Sequence, residues 1–135
     1  MNKYQISRIL EVFDGSTFEG IIDLGMGVYL KKKIFLSGVI SPSINNDNEK
    51  LYWKQAKDKL QYYLRYASNR KVCIEVDEYH DDYVYGFVYT DEFEDSINWI
   101  MFLYGYVWDN GIDLPRDDER KRETYVLSTP KTRLQ

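Results

Sequence analysis

The side chains best suited to chemistry in this sequence are acidic and crowded: Glu75, Asp77, Glu78, Asp81 and Asp82 surround His80 in one short stretch. Carboxylates at that density suit a hard cation such as calcium, but Glu75 and Asp77 alternate along one strand and the set lacks the spacing of an EF-hand loop. A solvated hairpin tip is the expected reading. His80 beside Asp81 has the residue types for acid–base work, yet no serine or cysteine nucleophile is fixed near it by sequence, so a solvated turn histidine is expected. Cys73 stands between Val72 and Ile74 with no base beside it, which predicts an inert thiol. A single cysteine and a single histidine exclude an intramolecular disulfide, multi-cysteine zinc sites and two-histidine metal motifs. No cofactor is expected.

The basic counterpart is Lys31-Lys32-Lys33, with Arg8 as a further candidate for a phosphate-binding stripe. Consecutive residues of a strand point to opposite faces, so at most Lys31 and Lys33 share a surface, where ordinary strand-surface charge is the simpler reading. The global balance agrees. Lys plus Arg number 18 against 22 Asp plus Glu, a formal charge of −4, which gives no polycationic footprint for gripping a phosphate backbone. At 135 residues, 44% hydrophobic and 16% aromatic, the chain suits one compact domain with a core rather than a disordered tail. Its N-terminus has no apolar signal core, and nowhere does an uncharged stretch reach the roughly 18 residues of a membrane span. A cytoplasmic location and no membrane partner are therefore expected. Thirteen tyrosines are a notable excess, since tyrosine suits strands and surfaces that are apolar yet keep a polar handle.

The elements that must position these groups start with three predicted strands, Tyr4–Phe13, Thr17–Leu24 and Val28–Val39, separated by Asp14-Gly15 and Gly25-Met26-Gly27 turns. In the third strand Val28, Leu30, Ile34 and Leu36 share one face, while Lys31, Lys33, Phe35 and Ser37 share the other. After a polar loop, Tyr52, Trp53, Ala56, Leu60, Tyr63, Leu64 and Ala67 recur with helical spacing and define a helix with one buried face. Asn46 and Glu49 resemble a capping box at its start, and Asn69 lies near its end. Strands at Lys71–Glu78 and Tyr83–Thr90 follow as a hairpin. A second helix over Ser96–Val107, capped by Asp95 or Ser96, is apolar nearly all round, should be buried against the sheet and should stop near Gly105 or just beyond. Arg116–Glu123 pairs Asp117 with Lys121 and Asp118 with Arg122 at i,i+4 spacing, which predicts a short solvated helix before a tail at Thr124–Gln135.

Three strands, a helix, two strands and a helix give an α+β, mainly β fold: a five-stranded OB-type barrel with a bridging helix after strand three and a second helix after strand five. Residues 1–111 form the expected domain and 112–135 a polar C-terminal extension. Within that order Asp14-Gly15-Ser16-Thr17-Phe18, Asp23-Leu24-Gly25-Met26-Gly27-Val28 and Leu36-Ser37-Gly38-Val39-Ile40-Ser41-Pro42-Ser43 resemble the staphylococcal-nuclease-like (thermonuclease) family. The family pattern is D-G-D-T, often D-L-G-F-G, and R-L-x-G-I-D-x-P-E. Asp82-Tyr83-Val84-Tyr85-Gly86 looks like a degraded K-Y-G-R-x segment, and Ile97-Asn98 through Gly105-Tyr106 resembles a V-N-x-x-L-x-x-x-G-Y helix. The likeness covers residues 4–111.

The resemblance implies metal-assisted phosphodiester hydrolysis, with carboxylates holding calcium, a glutamate activating water and two arginines neutralising developing charge. Carried over by position, the two metal-binding aspartates fall on Ser16 and Ile40, the general base on Ser43, and the arginines on Phe35 and Tyr85. All five are replaced. Loss of one charge-stabilising donor typically costs about 100–1,000-fold in rate, so the expectation is a protein that is not an enzyme. Asp82 also reverses the charge of a position where the family often carries lysine.

The expected function is therefore binding. Phe35, Tyr83 and Tyr85 should converge as an aromatic surface in the former active cleft, with Asp81 and Asp82 at its edge and Lys31 and Lys33 on the same face as Phe35. A protein partner is the preferred class, which suits an accessory factor, encoded by a virus or mobile element, that acts on a machine in a host cytoplasm. Two alternatives stand beside it. One is single-stranded nucleic acid stacked on tyrosines, against which the net charge counts; the other is a residual hydrolase using Asp14, Glu19, Asp23 or the acidic hairpin around a displaced metal.

Overall fold

The computed structural model describes residues 3–66, 71–91 and 93–109. Its strands are β1 (Lys3–Asp14), β2 (Thr17–Gly25), β3 (Val28–Leu36), β4 (Val39–Ile40), β5 (Val72–Tyr79), β6 (Tyr83–Thr90) and β7 (Trp108–Asp109). Helix α1 (Lys50–Tyr66) lies between β4 and β5, and α2 (Ile97–Leu103) lies between β6 and β7. Five of the strands close into a barrel in the order β1-β2-β3-β6-β5, with β5 returning to β1. The chain is thus α+β, mainly β, with an OB-type barrel. Every barrel pairing is antiparallel except β3 with β6, which is parallel and sets Lys33 beside Tyr83 and Phe35 beside Tyr85. Three register shifts in β1 against β2 let that long strand bend around the barrel.

The inward phase of each strand supplies the core: Phe18, Ile34, Leu36, Ile74, Val84 and Val88 are all buried. Leu60 and Leu64 of α1 and Ile97 and Met101 of α2, placed inward by their helical spacing, are fully buried with them. Helix α1 rests on the β1–β2 turn, where the Trp53 Nε1 donates to the Phe13 carbonyl at 3.1 Å. A Cβ on Gly15 would lie only 2.6 Å from the Ala56 Cβ, so this contact between turn and helix depends on a residue with no side chain.

Several expected boundaries move. The third strand does not run through to Val39; it stops at Leu36, and Val39–Ile40 pairs separately with Trp108–Asp109 in a two-stranded sheet. Helix α2 is shorter than Ser96–Val107. Ser96 caps it as expected, its Oγ accepting from the Trp99 N–H at 3.1 Å, but Gly105 adopts a φ of +79° and ends it early. Asn46 and Glu49 do not form a reciprocal cap. The Asn46 amide donates to the Glu49 carboxylate at 2.6 Å within the turn before α1, and the other Glu49 oxygen accepts from the Ser43 N–H. No helix among the described residues is long and apolar enough to cross a membrane. Ala67, Asn69, the Arg116–Glu123 helix and the rest of the 112–135 extension lie outside the described residues.

Candidate aromatic binding face

Parallel pairing of β3 with β6 puts residues of equal phase side by side on the outer wall of the barrel. Ile34, Leu36, Val84 and Gly86 point in, so Phe35, Tyr83 and Tyr85 point out. Phe35 stacks on Tyr85 with ring centroids 5.0 Å apart and meets Tyr83 edge-on at 5.5 Å, while the two tyrosines meet edge-on at 5.8 Å. Each ring is half-buried and offers one side outward. These are the offset-stacked and T-shaped arrangements that aromatic quadrupoles favour.

His80 extends the cluster. Its ring stacks on Tyr83 at 4.5 Å, its Nε2 lies 2.6 Å from the Glu78 carboxylate, and its backbone N–H donates to the Tyr83 carbonyl at 2.9 Å. The expectation of a merely solvated turn histidine is corrected here, because the hairpin folds the ring back onto its own strand. On the other flank the Lys33 ammonium lies 5.0 Å from the Phe13 ring centroid and 5.6 Å from that of Phe35. Lys31, two residues earlier on the same face, is 3.8 Å from the Glu19 carboxylate. Asp81 and Asp82 are exposed at the hairpin tip.

Ser16, Phe35, Ile40, Ser43 and Tyr85, the positions onto which the resemblance carries catalytic roles, have separate structural settings. Ser16 is buried, and both its N–H (2.8 Å) and its hydroxyl (3.3 Å) reach the Asp14 carboxylate. Ser43 accepts from the Asn45 N–H in the loop ahead of α1. Ile40 is half-exposed in the β4–β7 pair. Only Phe35 and Tyr85 touch each other. Ser16 is tied to their neighbourhood through its carbonyl, which accepts from the Leu36 N–H at 2.8 Å.

The acids considered for a displaced metal are dispersed. Asp14 is engaged by Ser16, Asp23 accepts from the Gly25 N–H at 2.7 Å, and Glu19 faces Lys31. Among the described residues no three His, Cys, Asp or Glu side chains are grouped so as to hold a metal ion.

The asparagine of the Ile97-Asn98 pair, given no role of its own by the sequence, supports the face from behind. Asn98 is wholly buried in α2, where its Oδ1 accepts from the Val88 N–H (3.0 Å) and its Nδ2 donates to the carbonyls of Ser37 (2.9 Å) and Gly86 (3.0 Å). It therefore ties the end of β3 to β6 directly behind Phe35 and Tyr85. One polar residue in an otherwise apolar helix was the available signal. Lys32 does not belong to this face: it is buried and shares the inward phase of Leu30 and Ile34.

A second aromatic group lies where α1 and α2 meet. The Lys59 ammonium is 5.1, 5.4 and 5.7 Å from the ring centroids of Tyr62, Tyr63 and Tyr106. Burial, helped by Tyr106, Tyr104 and Tyr62, pushes the Tyr63 hydroxyl up to about 12.

No family model matches this chain, and no curated protein matches it either.

Proposed function

We propose that this chain is a non-catalytic, nuclease-like OB-fold protein that binds a protein partner through the face formed by Phe35, Tyr83 and Tyr85. The observation that carries the reading is the mutual packing of those three half-buried rings on an outer wall of the barrel. In the resemblance to the thermonuclease family, Phe35 and Tyr85 stand where two arginines would hold a phosphate. An aromatic pair there cannot clamp a phosphoryl oxygen, but it offers the rigid apolar area around which protein interfaces concentrate their energy. The exposed Asp81 and Asp82 supply the polar rim such a site needs. An intracellular place of action fits a chain with one cysteine.

A second reading, single-stranded nucleic acid stacked on the same rings, is supported by the Lys33 ammonium beside Phe35 and Phe13. Affinity capture from the native cell with nuclease present separates the two. Protein-partner binding predicts a captured protein that survives nuclease treatment. Tyr85→Ala should weaken its binding by about 2 kcal/mol or more while circular dichroism shows the fold intact. Binding to single-stranded DNA or RNA that falls steeply between about 50 and 200 mM salt, and is lost when Lys31 and Lys33 are replaced, would establish the nucleic-acid reading instead.

A further inference from the structure

Among the described residues, the end of the barrel away from the Asp14-Gly15 turn carries a cavity of about 310 Å³. Its walls are Tyr4 of β1, Ile22 and Leu24 of β2, Leu30 of β3, Val76 and Tyr79 of β5, and Val84 of β6. That volume lies at the lower end of the roughly 300–1,000 Å³ of small-ligand sites, which favour barrel mouths and apolar linings with few polar groups.

One cation lies close to a wall of it. Lys32 is only 8% exposed and occupies the next inward position after Leu30, opposite Gly20 on β2. Its ammonium donates to the backbone carbonyl of Asp81 and lies 5.0 Å from the ring centroid of Tyr79, a wall of the cavity. Among the described residues no carboxylate reaches it; the nearby acids are directed elsewhere, Asp23 to the Gly25 N–H and Asp81 and Asp82 to solvent. A buried ammonium with a carbonyl and a ring but no counter-ion keeps donors to spare, and burying charge without a partner is costly. Two of its walls, Leu24 and Tyr79, are exposed to water, and Met26 and Val28 of the adjoining β2–β3 hairpin are exposed as well. Met26, at the tip of the β2–β3 hairpin, is held at a φ of +56°, an uncommon conformation for a residue with a side chain. Apolar residues gathered around a cavity mark a binding surface rather than scatter.

We propose that the barrel mouth binds a small amphiphile, an alkyl chain ending in a carboxylate, with the chain in the cavity and the carboxylate on the Lys32 ammonium. The site is separate from the Phe35 face and does not depend on what that face binds. Decanoate below its micelle concentration is the probe, titrated calorimetrically into the full chain, with decanol and decyltrimethylammonium as comparison arms. Decanoate should saturate one site and bind more tightly than either comparison compound. Lys32→Met should weaken decanoate by about tenfold or more, the range for a hydrogen bond to a charged group, and leave decanol unchanged. Leu24→Trp, a rim change that fills the cavity, should abolish decanoate and decanol binding together. If Lys32→Met does not fold, the wild-type preference and Leu24→Trp decide alone. Absence of saturable decanoate binding, equal affinity for the three compounds, or wild-type binding by folded Leu24→Trp would overturn the proposal.

Discussion

Asn98 shows how one side chain holds the aromatic face in place. Its amide makes three buried hydrogen bonds, to Val88, Ser37 and Gly86, so truncation strands groups on both strands that carry Phe35 and Tyr85. Asn98→Ala should cost more than about 2 kcal/mol in urea denaturation, because a buried donor or acceptor left without its partner costs about 1–3 kcal/mol by itself. Tyr63 gives a pH signature of a different kind. Below about pH 10 its hydroxyl is protonated in folded and unfolded chains alike, and its contribution to stability is complete. Between 10.0 and about 12 the unfolded chain releases the proton while the folded chain keeps it, so stability falls as pH rises. Thermal midpoints measured from pH 9 to 12 should decline more steeply for the wild type than for Tyr63→Phe, and parallel declines would remove Tyr63 as the cause.

At the scale of elements, the periods in the sequence carry most of the architecture. Leu60 and Leu64 recur on one helical stripe, and Phe35, Tyr83 and Tyr85 share strand phases; each set lies where its period puts it. What period cannot supply is the partner. Nothing local in Tyr83–Thr90 says that it pairs in parallel with β3, yet that pairing sets the Phe35–Tyr85 stack. Val39–Ile40 and Trp108–Asp109 are too short to show alternation at all, and their pairing exists only because α2 brings distant segments together. Lys32 is a related case. Strand phase separates it from Lys31 and Lys33 and puts it inside, where a long stem can run along apolar walls and the ammonium finds a carbonyl on the neighbouring hairpin. Leu60 tests the helix docking directly: Leu60→Ala should destabilise by about 2–5 kcal/mol, the range for truncating a fully buried leucine, and a loss under about half a kcal/mol would show that α1 contributes little to the core.

For the whole molecule, the expected chemistry is inactivity toward nucleic acids. The purified chain should not cleave single- or double-stranded DNA or RNA with calcium, magnesium or manganese. Introducing a single carboxylate, as in Ser16→Asp, should not create cleavage, since groups that act as a unit are strongly non-additive. Cleavage that stays with the folded protein through nuclease-free purification would refute this. The closed barrel also has a consequence for how the chain is made. In the finished ring β1 and β3 each gain a second partner, β5 along Lys3–Ile6 and β6 along Lys33–Leu36, which shortens the backbone edge that either leaves as a template for another chain. Both closing partners, β5 and β6, come after α1. A ribosome that has released only the first forty residues therefore exposes a three-stranded meander with two unsatisfied edges, and the growing chain is most prone to pair with its neighbours in the interval before Thr90 emerges. A fragment ending at Ile40 should accordingly self-associate in sedimentation at concentrations where the full chain does not.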